Sequence, residues 1–264
     1  LRLLLIRHGQ TPANIKGQLD TAVPGLPLSP LGRRQAAAVP AGLAERGLDE
    51  VGSLFVSTLV RTQETAAPLA ASHGLTPTVL DGLKEIQAGS LEMLSDRKSQ
   101  GEYNATCFAW AEGDLDVRMP GAENGHEFFA RYDAAISAAV AAARPVVVIS
   151  HGAAIRTWVT GRCIDVEGGF AGTHQLLNTG LAHLESVDEG AAGAAGAAGA
   201  GPAARGGAGV PAGAAAAAAG AGVAAGSGSG SGRRWRLVEW LRDPVGGVAL
   251  EDDLADDPTG RATE

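Results

Sequence analysis

The sequence predicts an α/β domain, and three observations carry that expectation. Two apolar runs, Leu1–Ile6 and Val146–Ser150, have the length of buried strands rather than helices. Each is followed at once by a His-Gly pair, at or one residue past its end. Between them lie segments with helix start signals and apolar residues spaced by three and four. An α/β sheet opens its ligand crevice at the carboxyl ends of its strands, so both His-Gly pairs fall where chemistry is placed.

Length and composition set the frame. The chain has 264 residues and a formal net charge of -8, which disfavours a nucleic-acid footprint. Its 45% hydrophobic content is inflated by alanine, because Ala191 to Gly232 is 42 residues with 20 Ala and 14 Gly. The remainder is long enough for a single well-buried core. Cys107 and Cys163 are too few and too far apart for a disulfide framework or a zinc pattern, and read as small buried hydrophobes in a reducing compartment. The first apolar run is too short for a signal h-region, and the Ala/Gly tract is too weakly hydrophobic to span a bilayer. The expectation is a soluble, cytoplasmic protein with no membrane or nucleic-acid partner. Nothing in the spacing sets an oligomeric state.

The elements follow in order. After the first strand, Gln10 to Pro30 is polar and carries four prolines, which predicts an irregular loop over the strand end. Ser29-Pro30 then opens a helix, with Ser29 as N-cap and Pro30 at its first position, running to about Arg46 and expected to kink or divide at Pro40. Gly52–Ser57 reads as a second buried strand, followed by a helix from about Leu59 to Ser72 that places Arg61 in its first turn. Pro77–Leu80 is a short strand. Met93 to Pro120 shows no sustained period and reads as an irregular lid whose basic residues, Arg97, Lys98 and Arg118, form a solvated face. From Glu123 onward, Phe128, Phe129, Tyr132, Ile136 and Val140 mark the core-facing stripe of a helix.

Val146–Ser150 delivers His151-Gly152 to a strand end, Ala153 to Arg162 reads as helix, and Leu181–Glu185 and Trp235–Trp240 read as late strands. The Ala/Gly tract would connect those last two. It lacks the large apolar groups that offset ordering entropy, and loop closure grows costlier only slowly with length. The organisation expected is one domain over 1–189 and 233–243, an Ala/Gly/Ser-rich disordered insertion over 190–232, and an acidic flexible tail over 244–264.

Chemistry concentrates in two histidines and two arginines at strand ends or helix starts. A neutral imidazole, with an unperturbed pKa of about 6.5, is a competent nucleophile near neutrality. Arginine forks match phosphate oxygens and stay charged. Arg7, Arg61 and His151 could therefore surround a phosphoryl group while His8 attacks phosphorus in line, an arrangement that needs no metal or other cofactor. His126 and His174 lie in segments that could overhang such a pocket, whereas His73 and His183 read as structural.

Arg7-His8-Gly9-Gln10-Thr11 with Asn14, Ser57-Thr58-Leu59-Val60-Arg61-Thr62-Gln63-Glu64-Thr65-Ala66, Glu85, and Ile149-Ser150-His151-Gly152 together resemble the histidine phosphatase superfamily, the phosphoglycerate-mutase-like proteins. The resemblance runs in order from Leu1 to about Glu189. It implies a three-layer α/β/α sandwich with a mostly parallel central sheet and a phosphohistidine on His8. It also implies a phosphate pocket of Arg7, Arg61 and His151 helped by Asn14 and the Gly152 N–H, with Glu85 as general acid and then base. The activity implied is that of a histidine acid phosphatase-type phosphomonoester hydrolase acting on a small phosphorylated metabolite. Two alternatives remain open: a phosphoglycerate-mutase-type transfer, which the short, modestly basic 93–120 segment disfavours, and an inactive phosphate-binding module, which the intact polar set disfavours. Met93, Ala122 and Asn124 depart from the family pattern and fall on the leaving-group side.

Overall fold

The first apolar run forms strand β1 (Arg2–Arg7) in a computed structural model that describes residues 1–187, 233–252 and 257–260. The other strands are β2 (Ser53–Val56), β3 (Thr78–Val79), β4 (Val146–Ser150), β5 (Leu181–Val187) and β6 (Arg234–Leu241). They make one six-stranded sheet in the order β3-β2-β4-β1-β5-β6. β3, β2, β4 and β1 are mutually parallel and β5 runs antiparallel to β1. The register pairs Arg7 of β1 with Ser150 of β4, so the two His-Gly pairs leave the sheet side by side.

Alternation along β1 explains the layering. Leu3 and Leu5 pack on one face with Tyr132, Trp158 and Val159. Leu4 and Ile6 pack on the other with Val39, Leu43, Ala66 and Leu69. Those partners come from helices α2 (Pro30–Glu45) and α3 (Val60–His73) on one face, and from α5 (Gly125–Val140) and α6 (Gly152–Arg162) on the other. Ser29 caps α2 as expected, its hydroxyl accepting from Gly32 N at 3.0 Å. Cys107 and Cys163 are free and buried. Among the described residues no helix is long and apolar enough to cross a membrane. The described residues within 1–186 and 234–260 form one compact unit. The expected insertion at 190–232 lies outside the described residues.

Four local expectations differ from the fold. The loop over the end of β1 contains a short helix, α1 (Pro12–Lys16), closed by a capping box between Thr11 and Asn14. Helix α2 runs through Pro40 undivided, since a proline deletes one backbone donor while the flanking turns and the packing of Val39 and Leu43 persist. The segment expected to be an irregular lid holds a four-turn helix, α4 (Arg97–Ala111), capped by Asp96. Its buried side mixes Ser99, Asn104 and Thr106 with Tyr103, Cys107 and Trp110, which hides the apolar stripe from periodicity. The stretch from Pro244 was expected to be flexible, yet Val245 packs beside Val39 and Leu43. Leu250 O accepts from Gln35 Nε2 at 2.7 Å, Asp252 Oδ2 accepts from Gln10 Nε2 at 2.8 Å, and Asp257 is 4% exposed.

Candidate active site

The end of β1 aims Arg7 and His8 into the crevice, and the His8 N–H donates to Ser150 O of the neighbouring strand at 3.0 Å. The His8 and His151 rings meet edge to face, with centroids 5.2 Å apart. His8 Nδ1 lies 2.7 Å from Gly9 O. A carbonyl only accepts, so Nδ1 carries the proton and the lone pair of a neutral ring resides on Nε2. Burial, then Arg61 and Arg7, hold the His8 pKa well below its ordinary value, so the ring is neutral near pH 7.

His151 caps the start of α6, its Nε2 2.8 Å from Ser57 Oγ. Burial first, then Arg61, His8 and Arg7, lower its pKa well below the usual imidazole value. Both imidazoles thus refuse protons that the unfolded chain takes up near pH 6.5. Their contribution to stability is present above about that pH and is lost as pH falls through it toward the depressed folded values. Urea midpoints measured at pH 7 and pH 5.5 should fall less for His8→Ala than for the unaltered protein. An equal fall would show that His8 titrates normally in the fold.

The two arginines enter from different elements. Arg61, in the first turn of α3, is held by Asp20, with Nη2 donating to the Asp20 carbonyl at 2.9 Å and Nη1 lying 3.5 Å from its carboxylate. Arg7 Nη1 donates to Leu176 O at 2.9 Å, while its Nη2 meets Thr259 Oγ1 at 2.8 Å and Asp257 Oδ2 at 2.5 Å. Arg7 Nε, Arg61 Nε and His151 Nδ1 are buried and have no hydrogen-bond partner among the described residues. Gly152 lets this group close up, because a Cβ there would lie 2.9 Å from Arg7 Nε and 2.6 Å from Thr259 O.

Glu85 approaches from the loop after β3. Its Oε1 accepts from Ile86 N at 3.0 Å and Ala154 N at 2.8 Å, and its Oε2 from Ala153 N at 3.2 Å, so the carboxyl sits on the N-terminus of α6. Those donors favour the anion, but burial outweighs them and raises the pKa. Asn14 Oδ1 accepts from Thr11 N at 2.9 Å, and its Nδ2 reaches Asp257 Oδ1 at 3.3 Å. His8, Asn14, Arg61 and Glu85 line one cavity together with Thr11, Ala13, Gln18, Asp20 and Thr259. All seven residues expected at the site therefore gather there, with Arg7 and His151 flanking His8 and Gly152 against Arg7. His126 instead pairs with exposed Asp116, and His174 stacks on Phe170. Among the described residues no group of three or more His, Cys, Asp or Glu is placed to hold a metal ion.

Sequence reasoning passed over several residues that shape this site. Arg131 of α5 donates to Gly82 O and Lys84 O, both at 2.9 Å, and to Glu85 O at 3.1 Å, while its Nη2 pairs with Glu123 at 2.6 Å. Tyr103 of α4 holds the same loop by donating to Ile86 O at 2.8 Å. Arg131 reads in sequence as one more polar position on the outer side of α5, so no local signal marks it. Arg131→Met should lower the unfolding free energy by about 3 kcal/mol, because it strands the Glu123 carboxylate and frees three loop carbonyls. Urea denaturation reads that loss, and an unchanged midpoint would show that the clamp contributes nothing.

A family model described as Histidine phosphatase superfamily (branch 1) matches residues 3–194. The chain is 37% identical over 202 residues to the PE-PGRS family protein PE_PGRS11 of Mycobacterium tuberculosis, a match covering 70% of this chain but only 34% of that protein. It is 32% identical over 168 residues to a glucosyl-3-phosphoglycerate phosphatase of the same organism, covering 58% of this chain and 71% of that one. A solved structure of a mycobacterial glucosyl-3-phosphoglycerate phosphatase in complex with VO3 superposes with a TM-score of 0.58 at 26% identity, covering 70% of this chain and 92% of the other.

Proposed function

Because this chain belongs to the histidine phosphatase superfamily, branch 1, we propose that it is a phosphomonoester hydrolase acting on a small phosphorylated metabolite through a phosphohistidine on His8. The observation that carries this reading is the set of buried nitrogens without partners among the described residues around a neutral nucleophile: Arg7 Nε and Arg61 Nε, which can only donate, and His151 Nδ1. Buried polar groups are normally paired, and a tetrahedral oxyanion offers acceptors in several directions at once. Neither a carbonyl nor a single water does.

In the proposed reaction His8 Nε2 attacks phosphorus and the bond to the ester oxygen breaks. The proton stays on Nδ1 and is donated to Gly9 O, which supports the positive charge that forms on the ring. Arg7, Arg61, His151, Asn14 and the Gly152 N–H hold the three equatorial oxygens, and Glu85 gives its proton to the leaving alkoxide. The Glu85 carboxylate then takes a proton from water, the water oxygen attacks phosphorus, the P–N bond breaks, and inorganic phosphate leaves with His8 neutral again. The lowered His8 pKa keeps the nucleophile neutral and the raised Glu85 pKa keeps the acid protonated, so the working range lies between the two.

The test is a panel of an aryl phosphate, sugar phosphates, 3-phosphoglycerate and glucosyl-3-phosphoglycerate, the last chosen because a relative 32% identical is named for it. Release of inorganic phosphate by the unaltered protein supports the hydrolase. Conversion of 3- to 2-phosphoglycerate without release supports a mutase instead, and binding without turnover of any ester supports a binding module.

A further inference from the structure

Residues Asp257–Gly260 lie in the anion site rather than beside it. The Asp257 carboxylate forms a buried ion pair with Arg7, Oδ2 to Nη2 at 2.5 Å, with the two side chains 4% and 0% exposed. Its other oxygen takes the Asn14 amide at 3.3 Å and the Thr259 N–H at 3.3 Å. Thr259 adds its hydroxyl to Arg7 Nη2 at 2.8 Å, and its carbonyl accepts from the buried Arg156 Nη1 at 3.1 Å. Gly260 O accepts from Leu176 N at 2.8 Å, and a Cβ at Gly260 would run into the Arg7 guanidinium.

Two consequences follow. Donors from Arg7 and Asn14, both assigned to a phosphoryl group above, are already engaged by a carboxylate. Thr259 also walls the cavity over His8, where the space that remains is about 10 Å³, on the order of one water molecule. A phosphoryl group cannot enter while Asp257 and Thr259 stay in place. A carboxylate can stand in for it, because an arginine fork donates to carboxylate and phosphate oxygens with the same geometry. An ion pair this deeply buried recovers its desolvation cost poorly, so a better anion can replace it.

We propose that Asp257–Gly260 is an internal ligand of the Arg7 site that competes with phosphorylated substrate, its Asp257 carboxylate occupying the place of a phosphoryl oxygen. The protein is then self-occupied at rest, and substrate or inorganic phosphate binds only to the fraction in which the segment has left. Apparent affinity is reduced by that fraction. The inference rests on the anion-site reading of Arg7 but not on turnover, so the two can fail separately.

The experiment uses the full chain and its Asp257→Asn and Thr259→Ala variants, with inorganic phosphate as the probe, binding followed by titration calorimetry and folding by circular dichroism. Asp257→Asn keeps the shape and removes the charge, and should tighten phosphate binding about tenfold. Thr259→Ala removes one acceptor from Arg7's partner set and should tighten it about threefold. Unchanged or weaker phosphate binding in folded Asp257→Asn overturns the proposal, because Asp257 would then be a positioning residue that serves Arg7. Aryl phosphate hydrolysis is measured on the same samples. Its absence from all of them counts against the phosphatase reading alone, since the order of the phosphate affinities still decides the role of Asp257.

Discussion

His8→Ala should abolish phosphate release from every ester that the unaltered protein hydrolyses, with kcat falling on the order of 10⁴-fold or more, as expected when the nucleophile of a covalent mechanism is removed. The imidazole is 2% exposed, its Nδ1 proton is committed to Gly9 O, and its pKa is held down by burial, Arg61 and Arg7. No described neighbour offers a substitute, since the adjacent His151 has its Nε2 engaged with Ser57 and forms part of the proposed clamp. Rapid acid-free quenching with a ³²P-labelled ester should trap label on the unaltered protein and none on the variant. The variant should still bind inorganic phosphate, because Arg7, Arg61 and Asn14 are untouched. Residual hydrolysis within tenfold of the original would sink the nucleophilic role, whatever the family relationship.

The parts of this molecule that sequence discloses are those whose signal is local. β1 and β4 are continuous apolar runs, and parallel pairing in register brings their trailing His-Gly pairs together. Arg61 was placed by one strand and one helix start. Glu85 came from the family pattern, and only the fold shows why it suits an acid: burial raises its pKa although three backbone N–H groups oppose that. α4 carries no such signal because its buried side includes Asn104 and Thr106, and a periodicity of apolar residues cannot register polar ones that pack inward. Asp257 lacks one for another reason. It meets Asn14 across 243 positions of chain, and an acidic, proline- and glycine-bearing stretch carries no mark of where it will dock.

Glu85→Gln carries the second large effect, a fall in kcat of about 10²- to 10⁴-fold, the usual range for loss of a positioned general acid and base. Glutamine preserves the shape but cannot give up a proton to the leaving alkoxide or take one from water. The loss should scale with the leaving group: large for a sugar phosphate, whose alkoxide needs the proton, and small for phosphoryl transfer from a nitroaryl phosphate, whose phenolate does not. The pH profile supplies an independent readout. Turnover requires His8 neutral and Glu85 protonated, so kcat/KM should fall on the acid side as the lowered His8 pKa is crossed and on the basic side as the raised Glu85 pKa is crossed. In Glu85→Gln the basic limb should vanish and the acid limb remain, a pattern that a merely structural carboxylate would not produce. If the basic limb survives the substitution, another group donates the proton and Glu85 serves only to tie its loop to the N-terminus of α6.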